Sequence, residues 1–283
     1  MRNHHRVFVG VLVTLAGCGA TPGAAPDAGQ GPPPFDAGAS IELAAGDRAL
    51  LESCSADSTL VYLAARLAEA HLLFNSTLDP SAAATANAAA IEARIRSQLG
   101  ACGTVTLADA TVSVNFGVAP GCTLSSGLQV SGALTVEVTK VVGVLTARFD
   151  YGTLLVNGRT LRGRLSFVRA ASGRFELNGG LGVGADALSL STLTLFAADG
   201  GLTLEGKGIR SNASGLGVVE HTSVAYPTRE CFPSSGTLGC SGGSAGFQVS
   251  FSPGTASTGV ATLSKPSTSI SGAVSLAPYG ECP

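Results

Sequence analysis

The chain has 283 residues, 45% of them hydrophobic but only 5% aromatic, with 38 glycines and no tryptophan. That mixture suits many short strands and turns, is too apolar for general disorder, and is long enough for one large β domain or two small ones. Charged residues make up 13% and the formal net charge is −2, so no overall basic field points to a nucleic-acid partner.

Arg2 and Arg6 precede an apolar run, Val7 to Leu15, broken only by Gly10 and Thr14. A bilayer-spanning helix needs roughly 20 residues, so this basic start, short apolar run and small-residue end read as a secretory signal. The end, Leu15-Ala16-Gly17-Cys18, resembles the lipobox of bacterial lipoproteins. In that family the cysteine thiol receives a diacylglycerol, a peptidase cuts just before it, and the freed amine is acylated. The resemblance therefore implies lipidation of Cys18 by palmitate-type chains and a membrane as partner. Two or more buried chains anchor stably where one binds marginally. Cleavage removes 17 of the 283 residues and two of the 17 basic ones, leaving 15 basic against 19 acidic residues, a balance of −4. Gly19 follows the cysteine, and by the sorting rule of diderm lipoproteins the absence of Asp there implies the outer membrane.

From Cys18 to about Ser40 the chain is mostly Gly, Ala, Pro and Asp, including Pro32-Pro33-Pro34. Nothing in it can pack a core, so it reads as a disordered spacer reaching at most roughly 70 Å. Residues 41–101 read as a helical hairpin. Asp57 or Ser58 is placed to cap a first helix running to about Asn75, with Leu60, Ala64, Leu67, His71 and Phe74 as its stripe. Asp79 caps a second helix with Pro80 at its first position. Ala88, Ile91, Ile95 and Leu99 form its buried face, Glu92 and Arg96 its solvent pair, and Gly100 ends it.

Residues 102–283 change to period two. Thr104 to Leu107, Thr111 to Phe116 and Ala133 to Val138 alternate as half-buried strands. Asn157-Gly158 between Leu154-Leu155-Val156 and Arg159-Thr160-Leu161 is a type I′ hairpin signal, and Asn178-Gly179 suggests another turn. Further strands are expected near 187–196, 202–205, 217–226, 246–251, 259–263 and 269–276. About a dozen strands with short connections pair antiparallel. The expected fold is mainly β with an N-terminal α-hairpin, an α+β chain whose long antiparallel meander is curled or sandwich-like. A porin-like barrel would need aromatic girdles that four Tyr and eleven Phe supply poorly.

With Cys18 lipidated, six cysteines remain, an even number that favours disulfides in an exported chain, with 15 possible connectivities. Spacing makes both Cys102–Cys122 and Cys54–Cys102 plausible. Zinc is disfavoured because no CxxC pair exists and histidines are few. The stretches Asn115-Phe116-Gly117 to Gly121-Cys122, Cys231 to Gly236 and Pro278 to Pro283 resemble parts of uncharacterised β-rich bacterial lipoproteins. That resemblance implies the pairs Cys102–Cys122 and Cys231–Cys282, leaving Cys54 for Cys240.

Catalytic signals are weak. His71 falls on an apolar stripe, and His221 has Glu220 on the opposite strand face. Gly239-Cys240-Ser241-Gly242-Gly243 formally fits GxSxG but lacks the following helix and downstream His of a nucleophile elbow. Gly182-Val183-Gly184 and Gly206-Lys207-Gly208 lack the strand–helix setting of a phosphate loop and read as turns. No cofactor or metal is expected. One cluster stands out: between Lys140 and Arg174 lie seven basic residues and one acid, Asp150. Arg162 and Arg164 share a strand face, with Thr153 and Tyr151 expected opposite, and form a candidate anion-binding face. The alternative reading of those arginines is a solvated sheet face guarded against edge pairing.

The sequence thus points to a non-enzymatic, lipid-anchored envelope protein, structural or partner-binding. Its candidate partners are an envelope polymer, a lipid or a protein. The alternative is a carrier of lipid or another hydrophobic ligand in a curved sheet.

Overall fold

The computed structural model describes residues 40–68, 78–124, 128–169, 174–183, 186–198, 201–212, 215–227, 230–243 and 245–278. Cys18, the spacer up to residue 39, His71 and Cys282 lie outside them.

Two helices come first, α1 (Ala45–Ala68) and α2 (Ala84–Leu99). The strands of the first part are β1 (Thr104–Ala108), β2 (Thr111–Asn115), β3 (Cys122–Thr123), β4 (Gln129–Ser131), β5 (Ala133–Val141), β6 (Val144–Asp150), β7 (Leu154–Val156) and β8 (Arg159–Arg169). Then come β9 (Phe175–Val183), β10 (Asp186–Ala198), β11 (Gly201–Asn212), β12 (Gly215–Tyr226), β13 (Ser235–Gly242) and β14 (Ala245–Phe251). A short helix α3 (Pro253–Thr258) precedes β15 (Val260–Lys265) and β16 (Ile270–Ser275).

The strands form one antiparallel sheet in the order β1-β2-β5-β6-β8 and onward consecutively to β16, with β3, β4 and β7 branching off β8. The fold is mainly β with helices at its start, and from β8 on it is the expected meander. Period-two burial along β5 and β6 puts Leu134, Val136, Val138, Leu145, Ala147 and Phe149 inside, and Phe149 meets Phe167 edge-on at 5.0 Å.

The sheet curls around α1. Tyr151 beyond β6 donates to the Ala64 carbonyl from one side (3.4 Å), while Tyr226 of β12 stacks on Tyr62 from another (4.7 Å). Leu181, Leu188 and Val274, from β9, β10 and β16, line clefts against the same helix. Every α1 residue from Asp57 to Ala68 is buried. α2 instead packs one face, Ala88, Ile91, Ile95 and Leu99, on β1, β2 and β5.

Several expectations are corrected. The two helices of the expected N-terminal pair pack on different strands, α1 on β12 and β13 and α2 on β1, β2 and β5. α1 starts at Ala45, so Asp57 and Ser58 are interior positions and not caps; their polar groups find partners on the sheet instead. α2 starts at Ala84: Asp79 accepts from the Ser81 N–H and hydroxyl in a turn, and buried Asn87 ties that turn down through the Asp79 N–H and carbonyl. Asn178-Gly179 lies within β9, where Gly179 takes φ +135 and a Cβ would sit 2.2 Å from the Arg164 carbonyl. Glycine there serves close strand approach, not a turn. Gly206-Lys207-Gly208 is likewise inside β11, at a register shift, and Gly182-Val183 inside β9; Gly184 is outside the described residues.

A candidate ligand mouth around the first helix

The first half of α1, to Ala56, lies at the open end of the curled sheet, and the second half is sealed within it. Three ties fix the helix where these halves meet. Cys54 is disulfide-bonded to Cys240 of β13, across 186 residues of sequence. One turn later the Ser58 hydroxyl sits 2.7 Å from the Tyr226 hydroxyl and 3.0 Å from His221 Nε2, donating to one and accepting from the other. Beside it, the Asp57 carboxylate faces the Arg210 guanidinium at 3.7 Å, with both side chains more than nine-tenths buried.

The sheet aims these partners through its irregularities. His221 and Tyr226 are five residues apart, an odd spacing that would send them to opposite faces of a regular strand. A register shift between Thr222 and Ala225, with Ser223 at φ +48, turns both inward. Gly236 makes this shift possible, since a Cβ there would lie 2.3 Å from the Ser223 carbonyl. Arg210 of β11 pairs with Gly217 of β12, which pairs with Gly242 of β13. A Cβ on Gly217 would come within 2.7 Å of Arg210 Nη2, and one on Gly242 within 3.4 Å. This glycine row lets the guanidinium lie close to the strand backbone, facing Asp57 of α1.

Burial sets the electrostatics. It lowers the His221 pKa to about 4, keeping the imidazole neutral at pH 7, and its Nδ1 has no hydrogen-bond partner. Arg210 Nε and Nη1 are also buried without hydrogen-bond partners, since Asp57 stands at ion-pair distance only. Burial likewise pushes the Tyr151 phenol well up.

Three clefts border the exposed half of α1. One of about 410 Å³ runs along Leu51, Ser55 and Thr59 to Val274 and Leu276. A second, about 620 Å³, lies between Ser53, Ala56, Asp57 and Leu60 and the sheet residues Thr160, Leu181 and Leu188. The third, about 470 Å³, is walled by Ala49, Leu50, Leu216 and Ala245 and touches Arg210. These volumes are of small-ligand size. Ser58 and His221 line none of the three, and their hydrogen bond ties α1 to β12.

The residues singled out from sequence are placed differently. Arg162 and Arg164 both point outward on β8, but Arg164 pairs with Asp150 at 2.6 Å. The expected cross-strand neighbours Tyr151 and Thr153 are replaced. β8 pairs with β7 at Leu154–Leu161 and then with β6 at Asp150–Arg164, and the switch at Gly163 shifts the register by one residue. Partial burial opposes ionisation of Asp150, but hydrogen bonds from Arg164 and the Gly152 N–H, with the charges of Arg164 and Arg148, hold its pKa below the usual range. Lys140 and Arg169 donate to carbonyls of the segment before α2, Arg148 pairs with Glu137 and Arg174 with Glu205. The basic cluster is therefore largely engaged within the fold.

Glu220 points away from His221 and pairs with Lys207, as strand alternation required. The GxSxG-like stretch is the end of β13, with Cys240 in a disulfide. Cys102 is bonded to Cys122 across 20 residues. Cys231 is also disulfide-bonded; its expected partner Cys282 lies outside the described residues.

The sequence reading missed Asp57, Ser58, Arg210 and Tyr226. Inward parity was the available signal for Arg210, which stands on the buried side of β11 while Ile209 is half exposed. No family model, no curated protein and no solved structure matches this chain, so the reading of the mouth rests on these residues.

Proposed function

We propose that this chain is an exported, lipid-anchored envelope protein, held at the outer membrane through Cys18, whose β domain is a non-catalytic binding module. It takes a small apolar or amphiphilic ligand at the mouth around α1. One observation carries the reading: α1 is buried from Asp57 on, while its outer half and the adjoining Asp57, Thr59 and Leu60 border clefts of about 410 to 620 Å³ with mainly apolar walls. A protein built only as a scaffold gains nothing from a gap ringing one half of its central helix. Of the two readings drawn from the sequence, this favours the binder of a hydrophobic ligand, with the mouth rather than an open sheet as the site.

The test is native mass spectrometry of the full chain carrying Cys18→Ser, so that no acyl chain of its own is present, purified from a bacterial envelope. A bound species of lipid mass, lost when Ala49→Trp fills the mouth, is the expected result. A protein that carries nothing and takes up no apolar probe is a scaffold, and the reading falls.

A further inference from the structure

Arg210 presents a buried cation whose donor capacity is unspent. A guanidinium carries five N–H donors. Among the described residues its ion-pair partner is Asp57 at 3.7 Å, and Nε and Nη1 make no hydrogen bond. Leaving buried donors unmet is unfavourable, more so when they are charged. The glycines at 217 and 242 let the guanidinium lie against the strand backbone, where a Cβ would come within 2.7 and 3.4 Å of Nη2. Arg210 lines the 470 Å³ cleft, whose apolar walls include Leu50, Leu216, Ala49 and Ala245. The cleft also holds one carboxylate, Asp47, which is tied to Lys265 at 2.8 Å.

Resting on the ligand-binding reading above, we propose that this third cleft is the head-group site, and that Arg210 there recognises the carboxylate of a single-chain aliphatic acid. A planar carboxylate matches the fork of guanidinium donors, and the apolar walls take the chain. Charge selects the class further. Asp57 already offsets Arg210, so a monoanion leaves the buried site at −1 and a phosphate monoester dianion would leave it at −2. The site therefore favours a carboxylate over a phosphate head.

The experiment is calorimetric titration of the full chain carrying Cys18→Ser with dodecanoate, dodecyl phosphate and dodecanol. Dodecanoate is expected to bind about tenfold or more tighter than dodecanol, the scale of one charge-assisted hydrogen-bond set. Dodecyl phosphate should be weaker than dodecanoate. Arg210→Gln should bring dodecanoate down to the level of dodecanol while leaving dodecanol unchanged. Since that variant removes the cation facing buried Asp57 and risks misfolding, Ala49→Trp is the second arm: it fills the cleft from an exposed position of α1 and should abolish binding of all three. Equal binding of dodecanoate and dodecanol, with loss in Ala49→Trp, overturns the carboxylate site but leaves the mouth as a ligand site. Tighter binding of dodecyl phosphate overturns it too. If none of the probes binds, both proposals fall together.

Discussion

Helices α1 and α2 each carry six Ala and two Arg and pack on the same sheet, yet they are buried in opposite ways. α2 buries one stripe and leaves Arg96 to solvent with Glu92 half-buried beside it, as an amphipathic surface helix should. From Asp57 on, α1 has no solvent face, because strands surround it. A polar residue on the outer face of α2 is therefore solvated. On the inner half of α1 it must be satisfied by the sheet or destabilise the fold. Asp57, Ser58 and Cys54 each meet a partner from a different strand, Arg210, His221 and Cys240. Such ties between distant segments fix the rotation and depth of a helix that apolar packing alone would leave free to slide.

The ties should dominate stability. Replacing Cys54 and Cys240 by Ser frees a loop with a sequence separation of 186 and should cost about 5 kcal/mol on the chain-entropy account. The Cys102 and Cys122 pair, separated by 20, should cost only about 3 kcal/mol. Denaturant unfolding of the two double variants ranks them; a larger loss for the shorter loop would mean that α1 is held by packing and not by its crosslink. Asp57→Ala comes next, at about 3–5 kcal/mol, because it leaves Arg210 charged and alone in the interior. Adding Arg210→Met should restore most of that loss, since a packed apolar pair replaces buried ion pairs at little penalty.

The same contrast decides what was legible in the sequence. The stripe and the Glu92–Arg96 pair of α2 were visible because one-sided burial imprints a period. The stripe Leu60, Ala64 and Leu67 marked the sealed half of α1 as a helix but not that all its faces are buried, and Asp57 and Ser58 mimicked an N-cap in the middle of a longer helix. Alternation exposed β1, β2 and β5, and Asn157-Gly158 marked the hairpin joining β7 to β8. The reading missed β6, and also β9 and β13, where glycines interrupt the apolar pattern to let strands approach or to let the Arg210 guanidinium lie close. Counting parity along β11 would have flagged Arg210, but finding Asp57 opposite it needed the three-dimensional path of α1.

Acid should loosen α1 before it touches α2. His221 has its folded pKa lowered to about 4 by burial, while in the unfolded chain it titrates near 6.5. The unfolded state therefore binds the extra proton between these values. The contribution of neutral His221 is complete above about pH 6.5 and is lost as pH falls toward 4, by on the order of 3 kcal/mol. Asp150, whose pKa is lowered, loses its share only below the ordinary carboxylate range, so the two windows separate. Chemical denaturation from pH 7 to 4 should show the slope in the native chain and not in His221→Gln; a slope that survives in the variant assigns the acid sensitivity elsewhere.

The smallest effect is the sharpest control. Glu92→Ala on α2 removes a carboxylate from an arginine, the same chemistry as Asp57→Ala on α1. Here, though, the Arg96 side chain is 60% exposed and keeps its bond to the Val105 carbonyl at 2.8 Å. Water resolvates the freed guanidinium, so the loss should be about 0.5 kcal/mol or less and should shrink further in 1 M salt. A ratio near tenfold between the two carboxylate deletions, measured in one buffer, would show that burial and not the ion pair itself sets the penalty. If Glu92→Ala costs as much as Asp57→Ala, then α2 is also held by its polar contacts, and the distinction between an interior and a surface helix does not describe this fold.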